Sequence, residues 1–95
     1  MHARITRFQI KSEHLSDVVA RIPKIREMTS RIPGGVLNYA VWNDDGSGAT
    51  FAIYEDKEAA DAAGPQIAEI WGGLKDALSA PPVFESYTNA ESVRD

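Results

Sequence analysis

Strand-favouring residues fill Val36–Trp42 and again Ala49–Tyr54, and a run of turn formers, Asn43-Asp44-Asp45-Gly46-Ser47-Gly48, lies between them. Short runs of β-branched and aromatic residues bounded in this way predict two strands joined as a hairpin. Gly46 and Gly48 are expected to supply the positive φ that hairpin turns use. In the first strand Val36, Asn38, Ala40 and Trp42 share one face, and Leu37, Tyr39 and Val41 share the other. In the second, Thr50, Ala52 and Tyr54 oppose Phe51 and Ile53. Neither face is a water-facing set, so the hairpin is expected to be covered on both sides.

The rest of the chain supplies the covers. Ala3–Ile10 reads as a strand, and Lys11–His14 as a polar loop. Ser16 is the expected N-cap of a helix, with Asp17 in its first turn, where a negative charge suits the helix dipole. Its apolar stripe runs through Val18, Ile22, Ile25, Met28 or Thr29, and Ile32, while Arg21, Lys24, Arg26 and Arg31 form a solvated side. Pro23 inside the stripe predicts a kink there, or a helix that properly begins later. Pro33-Gly34-Gly35 ends it. After the hairpin, Asp56 caps a short helix, Lys57–Ala63, and Gly64-Pro65 restarts the chain as Gln66–Ser79, striped at Ile67, Ile70, Trp71, Leu74 and Leu78. Gly72-Gly73 costs that helix about 1 kcal/mol per glycine relative to alanine. Such a pair predicts either close approach of another element or a local break. Ala80-Pro81-Pro82 stops the helix, Val83–Thr88 is the last strand, and residues 90–95 are an expected flexible tail.

The order βαββαβ specifies an α+β, ferredoxin-like domain over residues 1–95, a four-stranded antiparallel sheet with two helices on one face. The helices shelter one face only. The other would expose an apolar patch of several hundred Å², at or above what monomers tolerate. Burial against a second copy, sheet to sheet, in a two-fold homodimer is the simplest remedy.

Composition narrows the function classes. Apolar residues make up 43% and charged residues 25% of the 95, ordinary for a globular protein. The absence of cysteine removes disulfides, thiolate catalysis and cysteine-ligated metals. The two histidines, His2 and His14, stand apart and define no metal site. A net charge of −4 argues against nucleic acid and anionic membranes as partners, and no apolar run approaches a membrane span. The expected location is cytoplasmic. Neither Pro33-Gly34-Gly35 nor Gly46-Ser47-Gly48 has the lysine or spacing of a phosphate loop.

The stretch Ala52-Ile53-Tyr54-Glu55-Asp56-Lys57-Glu58-Ala59-Ala60 resembles the strand-to-helix passage of antibiotic biosynthesis monooxygenase-like proteins and their stress-responsive relatives: an apolar strand ending in an aromatic, an acidic cap, then a Glu-Ala helix start. Ala3-Arg4-Ile5-Thr6 and Pro82-Val83-Phe84-Glu85-Ser86-Tyr87 are similar to the ends of that group. The resemblance implies a dimeric α/β barrel, and for one branch the oxygenation of a small aromatic or quinone-like compound without a cofactor. The haem-degrading branch pairs a first-strand asparagine, a tryptophan and a helical histidine. Here the first strand has no asparagine, the tryptophan position holds Tyr54, and no histidine follows His14. The alternative is a non-catalytic small-molecule-binding or stress-associated homodimer on the same scaffold.

Cofactor-free oxygenation requires a phenolic substrate to lose a proton and its anion to be held by hydrogen-bond donors in a dry pocket. Tyr54 is the catalytic candidate, with Asn38, Trp42 and Trp71 as substrate-binding candidates. Each also has a bland reading. Trp71 on a helical stripe suits the core, Trp42 a dimer rim, and Asn38 a buried hydrogen-bond node. His2 could reach a pocket edge, and His14 belongs in solvent. Arg4 and Arg7 point to opposite faces. Whichever lies on the helix side needs an anionic partner, for which Glu85 or an acidic substrate is available.

Overall fold

The computed structural model describes residues 1–94. Its sheet contains β1 (His2–Gln9), β2 (Gly35–Trp42), β3 (Ser47–Tyr54) and β4 (Val83–Tyr87), in the order β2-β3-β1-β4 with every pair antiparallel. This is the ferredoxin-like α+β arrangement expected from the element order. Asn43–Gly46 closes the hairpin, with Asn43 N–H on Ser47 O at 2.8 Å and Gly46 N–H on Asn43 O at 2.9 Å. Gly46 takes φ +87° there, whereas Gly48 has no positive φ. Gly48 serves another purpose. A Cβ on it would stand 2.3 Å from Val41 O and 2.6 Å from the Phe8 ring, so the missing side chain is what lets Phe8 lie on the sheet. Of the expected flexible tail, residues 90–94 form neither helix nor strand, and Asp95 lies outside the described residues.

Each expected helix is a pair. A 3-10 turn at Ser12–His14 runs directly into α1 (Leu15–Ala20), and α2 (Ile22–Ser30) follows after a single residue. Ser16 therefore lies inside α1 and caps nothing, because the preceding turn occupies the capping position. The break falls at Arg21, which places Pro23 in the first turn of α2, where its missing N–H has no partner to lose. After β3, α3 (Lys57–Ala62) is capped as expected: Asp56 Oδ1 accepts the Ala59 N–H at 2.8 Å. The next helix, α4 (Gly64–Gly73), stops at the paired glycines and gives way to a 3-10 turn, Lys75–Ala77. A Cβ on Gly72 or Gly73 would meet nothing within 4 Å, so the pair marks a local break and no close approach.

Register assigns the faces. His2, Arg4, Thr6 and Phe8 of β1 pair with Tyr54, Ala52, Thr50 and Gly48 of β3 on the helix-covered side. Ile5, Phe51, Ile53, Leu37, Tyr39 and Val41 share the bare side with Val83, Glu85 and Tyr87. A bulge between Gly35 and Leu37 displaces Val36. Arg4 does lie on the helix side, but its partner is not Glu85: it bonds Ala60 O at 3.0 Å and Asp61 at 2.7 Å. Glu85 instead pairs with Arg7 at 2.6 Å on the bare side, since Ile5, not Arg4, stands opposite it.

The core is thin and divided. One cluster joins Ile10, Val18, Leu74, Ala77 and Leu78; the other joins Ile32, Tyr54, Ala60 and Ala63. No large side chain is sealed below 2% exposure among the described residues. The helical layer also does not cover the whole hairpin as expected: β3 is mostly sheltered, but every residue of β2 is exposed in the single chain, including those on the helix side.

Candidate functional site

Against the first cluster, whose Ile10, Val18, Leu74 and Leu78 line it, α1, α2 and α4 stand off from the hairpin and leave a cavity of about 670 Å³. Phe8, Trp42 and Thr50 form part of its sheet wall, Ile22 and Ile25 its α2 wall, and Ile70 and Trp71 its α4 wall. The Phe8 and Trp71 rings are 5.7 Å apart and tilted by 45°, an ordinary aromatic packing geometry. A second, smaller space of about 250 Å³ lies toward the Gly35 end of β2 and reaches Tyr54. Asn38, Arg26 and Thr29 line both.

Three of the four sequence-derived candidates, Asn38, Trp42 and Trp71, therefore meet in one cavity. Tyr54 does not: it borders the smaller space and packs with Ile32, Ala60 and Ala63. Asn38 is not a buried node. It is exposed and its side chain has no hydrogen-bond partner among the described residues, because α2 does not close over β2. Tyr54 is 3% exposed, and burial raises its phenol above the usual 10.0, with the Arg4 charge opposing. It is thus a neutral hydrogen-bond donor at neutral pH and no base. His2, expected near a pocket edge, is instead 4% exposed beside Tyr54, lines neither space, and leaves both ring nitrogens unpartnered. His14 is half-buried at the end of its 3-10 turn. No three His, Cys, Asp or Glu side chains come together as a metal would require, among the described residues.

No family model matches the sequence, and no curated protein does. Solved structures match it over nearly its whole length. A protein of unknown function from Nitrosomonas europaea superposes with a TM-score of 0.83 at 14% identity, covering 99% of this chain and 93% of that one. An antibiotic biosynthesis monooxygenase matches with a TM-score of 0.78 at 15% identity, over 96% and 100% of the two chains. The ActVA-Orf6 monooxygenase of Streptomyces coelicolor, solved with the ligand nanaomycin D, matches with a TM-score of 0.74 at 19% identity, over 99% and 91%. The chain shares the ferredoxin-like fold of these structures.

Within that fold, the cavity-lining side chains not singled out from the sequence as site candidates include Arg26, Thr29 and Thr50. Arg26 reads from the sequence as part of the solvated side of the helix. The predicted stripe positions Ile22, Ile25 and Thr29 do line the cavity, and Arg26 stands at the edge of that stripe, exposed and reaching the cavity margin next to Ile25. Thr29 was visible as an alternative stripe position, and Thr50 shares the Tyr54 face. The Thr29 hydroxyl donates to Arg26 O at 3.1 Å, so its proton is already committed. No helix of the described residues is long and apolar enough to cross a membrane.

Proposed function

We propose that the chain is a cytoplasmic homodimer that binds a small aromatic or quinone-like compound between its sheet and helices and oxygenates it without a cofactor. The observation that carries this reading is the cavity of about 670 Å³, apolar in its walls and supplied with the Asn38 amide, the Trp42 and Trp71 indole N–H groups and the Thr50 hydroxyl. Its volume suits a two- to three-ring compound. The chemistry balances without outside help: a phenol and O₂ give a quinone and water, a ring C–H becoming C=O, with the substrate supplying all the electrons. The protein's part is to hold the phenolate while the electrons leave. Asn38 is the foremost donor for that task, and Tyr54, from the adjoining space, is the second.

One observation favours the alternative, a small-molecule-binding homodimer without catalysis. Neither space is lined by a carboxylate or histidine that could take the phenolic proton, so deprotonation must run to solvent. Oxygen uptake with dihydroxynaphthalenes decides between the two. The expected result is uptake that Asn38→Ala lowers about tenfold or more, and Tyr54→Phe lowers less, with melting temperatures nearly unchanged. Absence of uptake with such phenols bound would leave the non-catalytic reading.

A further inference from the structure

Arg26 is the sole charged residue lining either space among the described residues, in a chain whose net charge is −4. Chance placement would favour carboxylates, of which the chain has 14 against 10 lysines and arginines. Four of the other arginines have acceptors, and only Arg94 near the C-terminus shares the lack of one among the described residues: Arg4 holds Asp61, Arg7 holds Glu85, Arg21 reaches Gly73 O at 3.0 Å, and Arg31 holds Glu27 at 2.6 Å. The last pairing matters most. Glu27, beside Arg26 in α2, is engaged by Arg31, and Arg26 keeps no hydrogen-bond or ion-pair partner among the described residues. Asn38 borders the same two spaces and its amide is equally unengaged.

We propose that Arg26 and Asn38 select an anionic ligand, a flat aromatic body seated among Trp42, Trp71 and Ile70 with its carboxylate or phenolate at the Arg26 margin. This deepens the function proposed above and rests on the cavity being the ligand site. The guanidinium supplies a fixed positive charge and paired N–H donors that match a carboxylate edge. The Asn38 amide adds an N–H, while Thr29, its proton spent on Arg26 O, adds none. The apolar walls contribute binding without regard to charge, so charge selection resides at the margin alone.

The test compares 2-naphthoate with 2-naphthamide, equal in shape and different in charge, by quenching of the fluorescence of Trp42 and Trp71 and by calorimetry. Wild type is expected to bind naphthoate about three- to tenfold more tightly, a modest factor because Arg26 is exposed and screened. Arg26→Gln should abolish the preference, Arg26→Lys restore part of it, and added salt erode it, while Lys24→Gln, on the same helix but outside the cavity, should leave it intact. Equal binding of the two compounds, or a preference that survives in Arg26→Gln, overturns the inference and leaves the cavity reading standing. Failure of both compounds to bind overturns both. Naphthoate selection through Arg26 without oxygen uptake upholds the inference while removing catalysis.

Discussion

Asp61 receives the Lys57 ammonium at 2.8 Å and the Arg4 guanidinium at 2.7 Å, and Lys57 above all holds its carboxyl below the usual 3.8. Glu85 is held below 4.5 by the Tyr87 hydroxyl first and by Arg7 next, and Asp45 is lowered by the Ser47 hydroxyl and N–H. A carboxyl depressed in the folded state stabilises above its unfolded pKa, and that stabilisation is lost as pH falls through the folded value. Thermal stability should therefore hold from neutral pH to about 5 and decline below about 4. A pH series of melting curves checks this, and Asp61→Asn should flatten the acid limb while lowering the neutral Tm slightly. Tyr54 acts at the opposite end: its raised phenol pKa gives stability that fades as pH climbs above 10.0. Single-residue environments were the least legible part of the sequence. The faces of Asn38 and Tyr54 follow from period two, but whether a helix lies over a strand position depends on where α2 stands. That position is a tertiary fact, and it turned Asn38 from an expected buried node into an exposed, unengaged amide. It likewise sealed His2 under the helical layer beside Tyr54.

Elements were easier to read, because their signals are local. The Asp56 cap and the restart at Gly64-Pro65 depend on a few adjacent side chains, and each is found where the chain spells it. The helix expected to run to Ser79 and stop at Ala80-Pro81-Pro82 instead ends at Gly73, because the paired glycines break it first. Asp56→Ala should cost about 1 kcal/mol and Asp56→Asn much less, read as denaturant midpoints. An equal loss for both would assign the effect to charge, leaving the Ala59 N–H contact without weight. Ser16 shows the limit of the same logic. A good capping residue with an acid behind it still caps nothing when the 3-10 turn Ser12–His14 has already led the chain into the helix at Leu15. Pro23 gave the break but not its position, yet the stripe kept its phase. Arg26 read as a surface residue because it is one, standing exposed at the edge of the stripe where it also borders the cavity.

At the scale of the molecule, the bare side of the sheet exposes Leu37, Tyr39, Val41, Phe51, Val83 and Tyr87. The topology and this apolar face were both legible, since strand alternation specifies sidedness before any packing is known. The proposed homodimer buries that face against a second copy. Wild type should elute and scatter light as a dimer, and Leu37→Asp or Phe51→Asp should dissociate it and lower its Tm by several degrees or more, since a carboxylate would be desolvated without a partner. A well-folded wild-type monomer would remove the dimer from the account. The cavity itself was not legible as a volume. A stripe of Ile22, Ile25, Ile70 and Trp71 describes a filled core as readily as a hollow one, and only the separation of helix from hairpin decides between them.

That separation lies against an edge. β1 is laced to neighbours along both its borders, whereas β2 is laced along one and wears no roof. Loosening of such a sheet starts at the free hem and travels inward, with β1 the last to yield. For the ligand proposed above, the threshold is then the hem itself, and its doorway the weakest seam the topology leaves.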